Sequence, residues 1–224
     1  LMVIGHVIQK GWKRNVIFSF HMPFFIIVSG MFHKDKNLKD TIKNIFSKLL
    51  LPYISCTLMV NIISSIINGC TIETTIISWI KQICFSYAYW ENIKFCRSAI
   101  PLGVLWFFPL LAITKLLFIG IKKISSNSEI TLCCICIFTT YLGYLLGIKG
   151  YWLPFSLDVA MASIIFYYAG YVLNKKNLIE KILSNKKMLI IILMFWIIGI
   201  RYNWIELAAR IYTNGLFAFI TAIC

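Results

Sequence analysis

The chain has 224 residues, of which 60% are hydrophobic and 13% are charged. Soluble domains contain about 45–50% apolar and about 25% charged residues, so this composition excludes an ordinary soluble protein and indicates an all-α integral membrane protein. The formal net charge of +14 comes from Lys and Arg residues that lie between apolar runs. This placement is typical of loops that orient a protein against membrane lipids, and nucleic acid is excluded as an expected partner.

Apolar runs of spanning length predict a polytopic bundle of about seven to eight transmembrane helices. The first and last runs are short, so we expect a fragment that is truncated at both ends and forms one partial transmembrane domain over residues 1–224. The runs lie at residues 1–9, 16–32, 49–67, 101–121, 130–148, 155–173, 188–200 and from 208 onward.

Residues 68–99 break this pattern because they mix aromatic and polar side chains, among them Trp79, Tyr87 and Trp90. Trp and Tyr favour the headgroup level of a membrane. The segment is therefore predicted to be an interfacial or external loop with a short helix.

Lys and Arg are unequally divided between the two sides of the predicted bundle. The loops at 34–48, 122–123 and 175–187 carry more of them than the loops on the opposite side. The positive-inside rule assigns the richer side to the cytoplasm, so His6 and His21 are predicted to lie toward the external face.

The histidines His6 and His21 lie in apolar surroundings near the start of the chain. An ionisable group inside a membrane is costly, so each is a candidate functional residue. The short connection at residues 10–15 makes their helices antiparallel neighbours, and we expect both imidazoles to face one cavity. The alternatives are that His6 only hydrogen-bonds to a neighbouring helix, and that His21 caps a kink made by Pro23, which lacks an amide hydrogen.

Two other features predict packing rather than chemistry. Small residues allow membrane helices to approach closely, so Ser29-Gly30 predicts a helix–helix contact. The cluster Cys133-Cys134-Ile-Cys136 lies inside an apolar run, where thiols behave as small hydrophobic groups, and no metal is expected there.

A series of short motifs runs through the chain. The second apolar run contains Phe20-His-Met-Pro-Phe-Phe and ends Ser29-Gly-Met-Phe32, and the pair Gly5-His6 precedes it. Further along are Lys48-Leu-Leu-Leu-Pro-Tyr53, Gly103-Val-Leu-Trp-Phe-Phe108, Pro154-Phe-Ser-Leu-Asp-Val-Ala160 and Phe166-Tyr-Tyr-Ala-Gly-Tyr171. In this order they resemble the membrane-bound acyltransferase 3 family, in its branch of sugar O-acetyltransferases similar to fucose 4-O-acetyltransferases. Members also carry a basic residue upstream of the first histidine, at a position that precedes Leu1.

The resemblance implies transfer of an acetyl or other short acyl group from acyl-CoA, with acetyl-CoA as the first expectation, to a hydroxyl of a cell-surface or lipid-linked sugar. It implies a multi-pass protein of a bacterial cell membrane that uses no metal. A sugar hydroxyl needs a base with a pKa near ambient pH, which histidine supplies. His6 is the predicted general base, and His21 is predicted to position the substrate or the thioester carbonyl.

Lys43 and Lys48 lie at the predicted cytoplasmic end of the third span. They are predicted to bind the phosphates of CoA, because lysine acts as a point charge for phosphate. The alternative is that they only anchor the loop on the positive side of the membrane.

Four further residues are predicted to contact substrate, each with a structural alternative. Trp106 either stacks on substrate or anchors the chain at the interface. Asp158 either pairs with a sugar hydroxyl or an imidazole, or caps the start of its helix. Glu206 and Arg210 stand at a spacing of i, i+4, so they either form an ion pair on a helix or belong to the site.

Two other functions remain open at the level of sequence. A transporter or flippase for a lipid-linked glycan is also a bundle of many spans with scattered polar groups. An inactive, truncated remnant of an enzyme is the other alternative.

Overall fold

The computed structural model describes residues 12–35, 37–86, 103–126, 128–202, 205–215 and 217–223. The first half of the described chain forms α1 (Trp12–Met31), α2 (Leu38–Ile45), a π-helical turn (Phe46–Leu50), α3 (Leu51–Asn68) and α4 (Ile72–Phe85). A 3-10 turn (Gly103–Trp106) then leads into α5 (Phe107–Ile124), which is followed by α6 (Glu129–Ile148) and a second 3-10 turn (Pro154–Ser156). The remainder forms α7 (Leu157–Lys175), α8 (Leu178–Ser184), α9 (Lys186–Tyr202), a hairpin of β1 (Ile205–Glu206) and β2 (Ile211–Tyr212), and α10 (Phe217–Ile223).

The expected all-α membrane class is confirmed, since the described residues contain four helices that are long and apolar enough to cross a membrane. The number rises to five if α8 and the start of α9, which are bent by 99°, count as one span. The four are Leu38–Asn68, Gly103–Ile124, Glu129–Ile148 and Pro154–Lys175. The described part therefore contains fewer spans than the seven to eight predicted for the bundle.

Short polar side chains define where several helices begin. The hydroxyl of Thr71 accepts a hydrogen bond from the amide of Thr74 at the start of α4, and Ser128 does the same for Thr131 at the start of α6. These bonds satisfy amides that have no partner inside the helix. At the other end of α3, Gly69 adopts a left-handed conformation with a φ of 64°, which glycine tolerates without a steric cost.

The core of the bundle is α7, which packs against α1, α5 and α6. Its contact with α1 is made through glycine. A methyl group on Gly170 would overlap the carbonyl oxygen of Ile27, and one on Gly30 would overlap the carbonyl oxygen of Tyr167. The packing contact predicted from Ser29-Gly30 is thus confirmed at Gly30, and α1 and α7 touch through their backbones.

A row of hydrogen bonds joins α4 to α3. Trp79 Nε1 donates to Thr57 Oγ1 over 3.1 Å, and the Tyr53 hydroxyl donates to the carbonyl oxygen of Gln82 over 3.0 Å. The Asn61 amide donates to the side-chain oxygen of Gln82. The short helix expected within residues 68–99 is α4, and the part of that segment from 87 onward lies outside the described residues.

The span predicted from residue 208 onward is wrong. The chain forms a two-stranded antiparallel hairpin, with Ile205 opposite Tyr212 and Glu206 opposite Ile211, and then the short helix α10. Arg210 and Gly215 have positive φ values of 57° and 63°, which an α-helix cannot contain. The polar residues Thr213 and Asn214 also interrupt the apolar run that led to the prediction.

Ion pairs and aromatic contacts gather the ends of α1, α5 and α7 at one end of the bundle, which we call the basic end. Asp35, just after α1, pairs with Lys122 of α5 at 2.5 Å. Lys175 at the end of α7 pairs with Glu129 at the start of α6 at 2.9 Å. The start of α7 and the hairpin form what we call the hairpin end. This grouping agrees with the alternation of loops assumed from the charge pattern.

The glycine contact yields a stability prediction. Replacement of Gly170 by Ala places a methyl group against the backbone of α1, and we expect the free energy of unfolding to fall by about 1–3 kcal/mol because overpacking forces the two helices apart. Thermal unfolding in detergent micelles measures the change.

The matched control is Gly120→Ala in α5, where an added methyl group meets no atom within 4 Å. Alanine is the better helix former by up to about 1 kcal/mol, so this variant should be as stable as the native chain or more so. Equal losses of stability in the two variants would contradict the close contact between α1 and α7.

Candidate functional site

Of the two histidines predicted from sequence, the structure describes only His21. His6 lies outside the described residues. His21 is on α1 with 6% of its surface exposed, so it lies inside the protein rather than on its outer surface. The helix continues through Pro23, two residues further on. The predicted roles of both histidines remain predictions.

At the hairpin end, Asp158 and Arg210 form a buried ion pair. Arg210 Nε donates to Asp158 Oδ2 over 2.5 Å, and Arg210 Nη2 donates to Oδ1 over 3.2 Å. The side chains are 0% and 5% exposed for Asp158 and Arg210. The guanidinium carbon lies 3.5 Å from the centre of the Trp152 ring, and the amide of Leu153 donates to Asp158 Oδ1 over 3.3 Å. Two parallel hydrogen bonds and a stacked ring give this arginine a single orientation.

This pair corrects the prediction of a helical ion pair between Glu206 and Arg210. The two residues lie on a hairpin, where the i, i+4 spacing does not place side chains on one face. Arg210 instead pairs with Asp158, 52 residues away in sequence, and this ion pair connects the hairpin to the first turn of α7. Asp158 therefore satisfies a buried cation in the first turn of its helix.

The remaining predicted substrate residues are also buried. Trp106 ends the 3-10 turn before α5 with 5% of its surface exposed, and its ring meets Phe107 edge-on with centroids 6.4 Å apart. Glu206 lies on β1 with 6% of its surface exposed. Of the four residues predicted to contact substrate, Asp158 and Arg210 are seen to contact each other. A role for any of the four in binding substrate stays a prediction.

A pocket of about 350 Å³ opens at the basic end. One wall comes from the segment just after α1, a second from α2 and the π-helical turn, and a third from α5, with Tyr167 of α7 between them. Its lining residues are Phe32, His33, Lys34, Thr41, Asn44, Ile45, Lys48, Leu49, Lys115, Ile119 and Tyr167. We call this cavity the basic pocket.

Positive charge is concentrated in the basic pocket. Lys34, Lys48 and Lys115 line it, and no carboxylate is among its lining residues in the described chain. Lys115 is half-buried on a membrane-spanning helix, where a cation is costly and marks a functional site by default. The arrangement can hold an anion.

Of the two lysines predicted to bind CoA, Lys48 lines the basic pocket and Lys43 does not. Lys43 lies in the last turn of α2 with an exposed side chain. The structure thus brings Lys48 together with Lys34 and Lys115, two residues that the sequence did not single out.

His33 is a further residue of the basic pocket that sequence reasoning missed. Its Nδ1 lies 3.0 Å from the hydroxyl of Tyr167, and its Nε2 lies 3.3 Å from Asp35 Oδ1. Asp35 in turn accepts hydrogen bonds from Lys122. An ionised Asp35 accepts from Nε2–H, which leaves Nδ1 to accept from Tyr167, so these contacts favour one neutral tautomer. Only 7% of the His33 side chain is exposed.

Burial and neighbouring charges shift the pKa values of both His33 and Asp35. Burial lowers the pKa of the His33 imidazole, and the Lys122 ammonium lowers it further, which together outweigh the opposing effect of Asp35. The hydrogen bond from Lys122 lowers the pKa of Asp35 below that of a free aspartate. At neutral pH the pocket therefore combines a neutral imidazole with lysine cations.

The described chain is a helical membrane protein with a cation-lined pocket at one end and a buried ion pair at the other. A family model described as an acyltransferase domain matches residues 1–224, so the chain belongs to the acyltransferase 3 family and is a membrane acyltransferase. This confirms the family indicated by the sequence motifs; the sugar O-acetyltransferase branch stays a prediction. A search of the curated proteins and a search of the solved structures each found no match.

The buried ion pair leads to a test by double-mutant cycle. Asp158→Asn leaves the Arg210 cation buried without a counter-charge, and we expect a loss of about 3–5 kcal/mol in the free energy of unfolding. Combining Asp158→Asn with Arg210→Met removes both charges and should restore part of that loss. Thermal unfolding of the single and double variants measures the coupling.

A matched comparison uses the exposed pairs that Glu129 makes with Lys175 and Lys176. Water and salt screen such pairs, so Glu129→Gln should change stability far less than Asp158→Asn. Strictly additive effects of Asp158→Asn and Arg210→Met would show that the two residues do not stabilise each other.

The lowered pKa of His33 predicts how stability changes with pH. Because the folded protein holds this imidazole neutral, its contribution is present above the pKa of a free histidine, about 6.5, and is lost as the pH falls through the lower folded value. The unfolding temperature of His33→Gln should therefore fall less between pH 7.5 and pH 5.5 than that of the native protein. Both proteins retain His6 and His21, so the difference isolates His33, and identical pH profiles would rule out its titration as a cause.

Proposed function

We propose that this acyltransferase moves an acetyl or other short acyl group from acyl-CoA to a hydroxyl of a cell-surface or lipid-linked sugar. The family match over residues 1–224 supports the reaction class. The sugar acceptor and the acetyl donor rest on the resemblance of the Phe20–Phe32 motif and of Pro154–Ala160 to sugar O-acetyltransferases.

The observation that carries the donor half of the proposal is the place of Lys48 in the wall of the basic pocket. A phosphate-rich donor needs cations held at one place, and Lys48 lies there beside Lys34 and Lys115. This pocket is at the basic end, which the charge pattern of the loops assigns to the cytoplasm, where acyl-CoA is expected.

The proposed chemistry requires a base for the acceptor hydroxyl. In the proposed reaction, the His6 imidazole accepts the proton of the sugar hydroxyl while the sugar oxygen bonds to the carbonyl carbon of the thioester. The carbon–sulfur bond then breaks, and the sulfur takes a proton and leaves as the thiol of CoA. His21, buried on the same helical hairpin that the sequence predicts for His6, is proposed to hold the substrate or the thioester carbonyl.

The test supplies radiolabelled acetyl-CoA and a glycan acceptor to membranes that contain the protein. Native protein should transfer label to the glycan, and His6→Ala should slow the transfer by about 100-fold or more, because a general base contributes at least that factor. Gly120→Ala serves as the control, since its methyl group enters open space and should leave the rate unchanged.

Each failure has its own meaning. An undiminished rate in His6→Ala would remove His6 as the base while keeping the reaction. Movement of the glycan across the membrane without acetylation would support the transporter or flippase instead. Neither transfer nor transport by a folded native protein would favour an inactive remnant.

A further inference from the structure

The basic pocket combines lysines from separate segments of the chain, and two of these lysines have no carboxylate partner in the described residues. Its cations come from three separate parts of the chain: Lys34 after α1, Lys48 in the π-helical turn and Lys115 in α5. Lys34 and Lys48 belong to one basic stretch, whereas Lys115 follows Lys48 by 67 positions, so the fold brings this third cation to the other two. Within the described chain, Lys48 and Lys115 have no ion-pair partner, whereas Lys122, Lys175 and Lys176 are paired with carboxylates.

Lys115 is the member of this set that is hardest to explain by membrane anchoring. It lies well inside α5, and the helical rise of ~1.5 Å per residue places it about 13 Å from Ile124 at the end of the helix. Anchoring lysines belong near the ends of spans, where the ammonium reaches water. Lys122 and Lys123 already occupy that position in α5.

The carboxylate of Asp35, which follows the lining residue Lys34, already has partners. Asp35 accepts hydrogen bonds from Lys122 at 2.5 and 2.7 Å and contacts His33, so it does not neutralise the pocket lysines. A bound anion would supply the missing negative charge and lower the cost of holding Lys115 within the span.

The uncharged part of the lining indicates what kind of anion fits. Asn44 offers an amide group that can donate to phosphate oxygens, and Thr41, whose hydroxyl donates to the Asn37 carbonyl over 3.1 Å, adds a polar surface. Phe32, Ile45, Leu49 and Ile119 form an apolar wall. Such a mixture suits an organic phosphate with an apolar portion better than a small inorganic ion. A volume of about 350 Å³ is at the lower end of the range for ligand sites, so the pocket takes a headgroup or one part of a larger cofactor.

We infer that the basic pocket is a binding site for an amphipathic organic phosphate and that Lys115 is its innermost phosphate-binding cation. The phosphate belongs either to acyl-CoA, in which case the inference rests on the proposed function, or to the headgroup of an anionic membrane lipid. Both sources present the same chemistry to Lys34, Lys48 and Lys115.

The experiment measures binding of CoA, which carries no acyl group and cannot react, to the purified protein in nanodiscs of zwitterionic phosphatidylcholine. Lys115→Met removes the charge but keeps an unbranched side chain, and we expect it to weaken CoA binding about tenfold or more. Lys115→Arg keeps the charge and should retain most of the affinity. Calorimetric titration at two salt concentrations gives the dissociation constants.

The matched control is Lys123→Met. Lys123 is on the same helix, exposed and outside the pocket lining, so its loss should change the dissociation constant less than about twofold. Lys48→Met provides a second variant from another wall of the pocket, in case Lys115→Met does not fold. Weakening by both pocket variants, but not by Lys123→Met, supports the site with CoA as its phosphate source.

A second arm identifies a lipid source. The unfolding temperature is measured in nanodiscs with and without anionic phosphatidylglycerol. Stabilisation of native protein and Lys123→Met, but not of Lys115→Met, together with no CoA binding, assigns the pocket to a lipid headgroup. The inference is overturned if the folded pocket variants bind CoA and respond to phosphatidylglycerol as the native protein does.

These outcomes are separate from those of the acyl-transfer assay. Lys115-dependent CoA binding without acetyl transfer would sustain the phosphate site and refute the proposed reaction. Acetyl transfer with an unchanged Michaelis constant for acetyl-CoA in Lys115→Met would sustain the proposed reaction and exclude acyl-CoA as the source of the phosphate, which leaves the lipid arm to decide the site.

Discussion

The position of the basic pocket depends on the backbone contact between α1 and α7. Glycine at Gly30 and Gly170 lets the two helices touch near the end of α1. Because the axes are so close there, the residues that follow α1 lie against the second half of α7, and His33 reaches the hydroxyl of Tyr167. A side chain at either glycine would separate the helices and withdraw His33 and Lys34 from the pocket. Gly30 and Gly170 thus determine where His33 and Lys34 lie.

The two ends of the bundle solve the problem of buried charge in different ways. At the hairpin end, Asp158 and Arg210 satisfy each other through two hydrogen bonds, and Trp152 covers the guanidinium. Such a pair orients the chain around it and needs no ligand. At the basic end, Lys48 and Lys115 share one cavity with no carboxylate in its described lining. An anion that enters from outside the chain would relieve the repulsion between the two lysines, so this end is the better candidate for binding.

Hydropathy predicts the long central helices because a membrane leaves few alternatives for a long apolar run, but it fails from residue 208 onward, where a hairpin forms. The run at 130–148 corresponds to α6 within one residue of its start. Sequence patterns do not identify side-chain partners that lie far apart along the chain. Local spacing offers Glu206 as one possible ion-pair partner of Arg210, whereas the partner in the structure is Asp158, 52 residues away. His33 was overlooked because it stands beside Lys34 and Asp35 like a loop residue, while its contact with Tyr167 spans 134 positions.

The geometry of α1 constrains how the proposed reaction joins its two halves. Met31, at the end of α1, immediately precedes the lining residue Phe32 of the basic pocket. A rise of ~1.5 Å per residue places His21 about 15 Å from Met31 along the helix. A donor whose phosphates bind at that pocket therefore has to extend its acyl group along the bundle to reach the depth of His21. The glycine contact closes the space between α1 and α7 near the basic end. Lys115 and Ile119 of α5 line the pocket, and Trp106 lies about 13 Å from Lys115 toward the hairpin end.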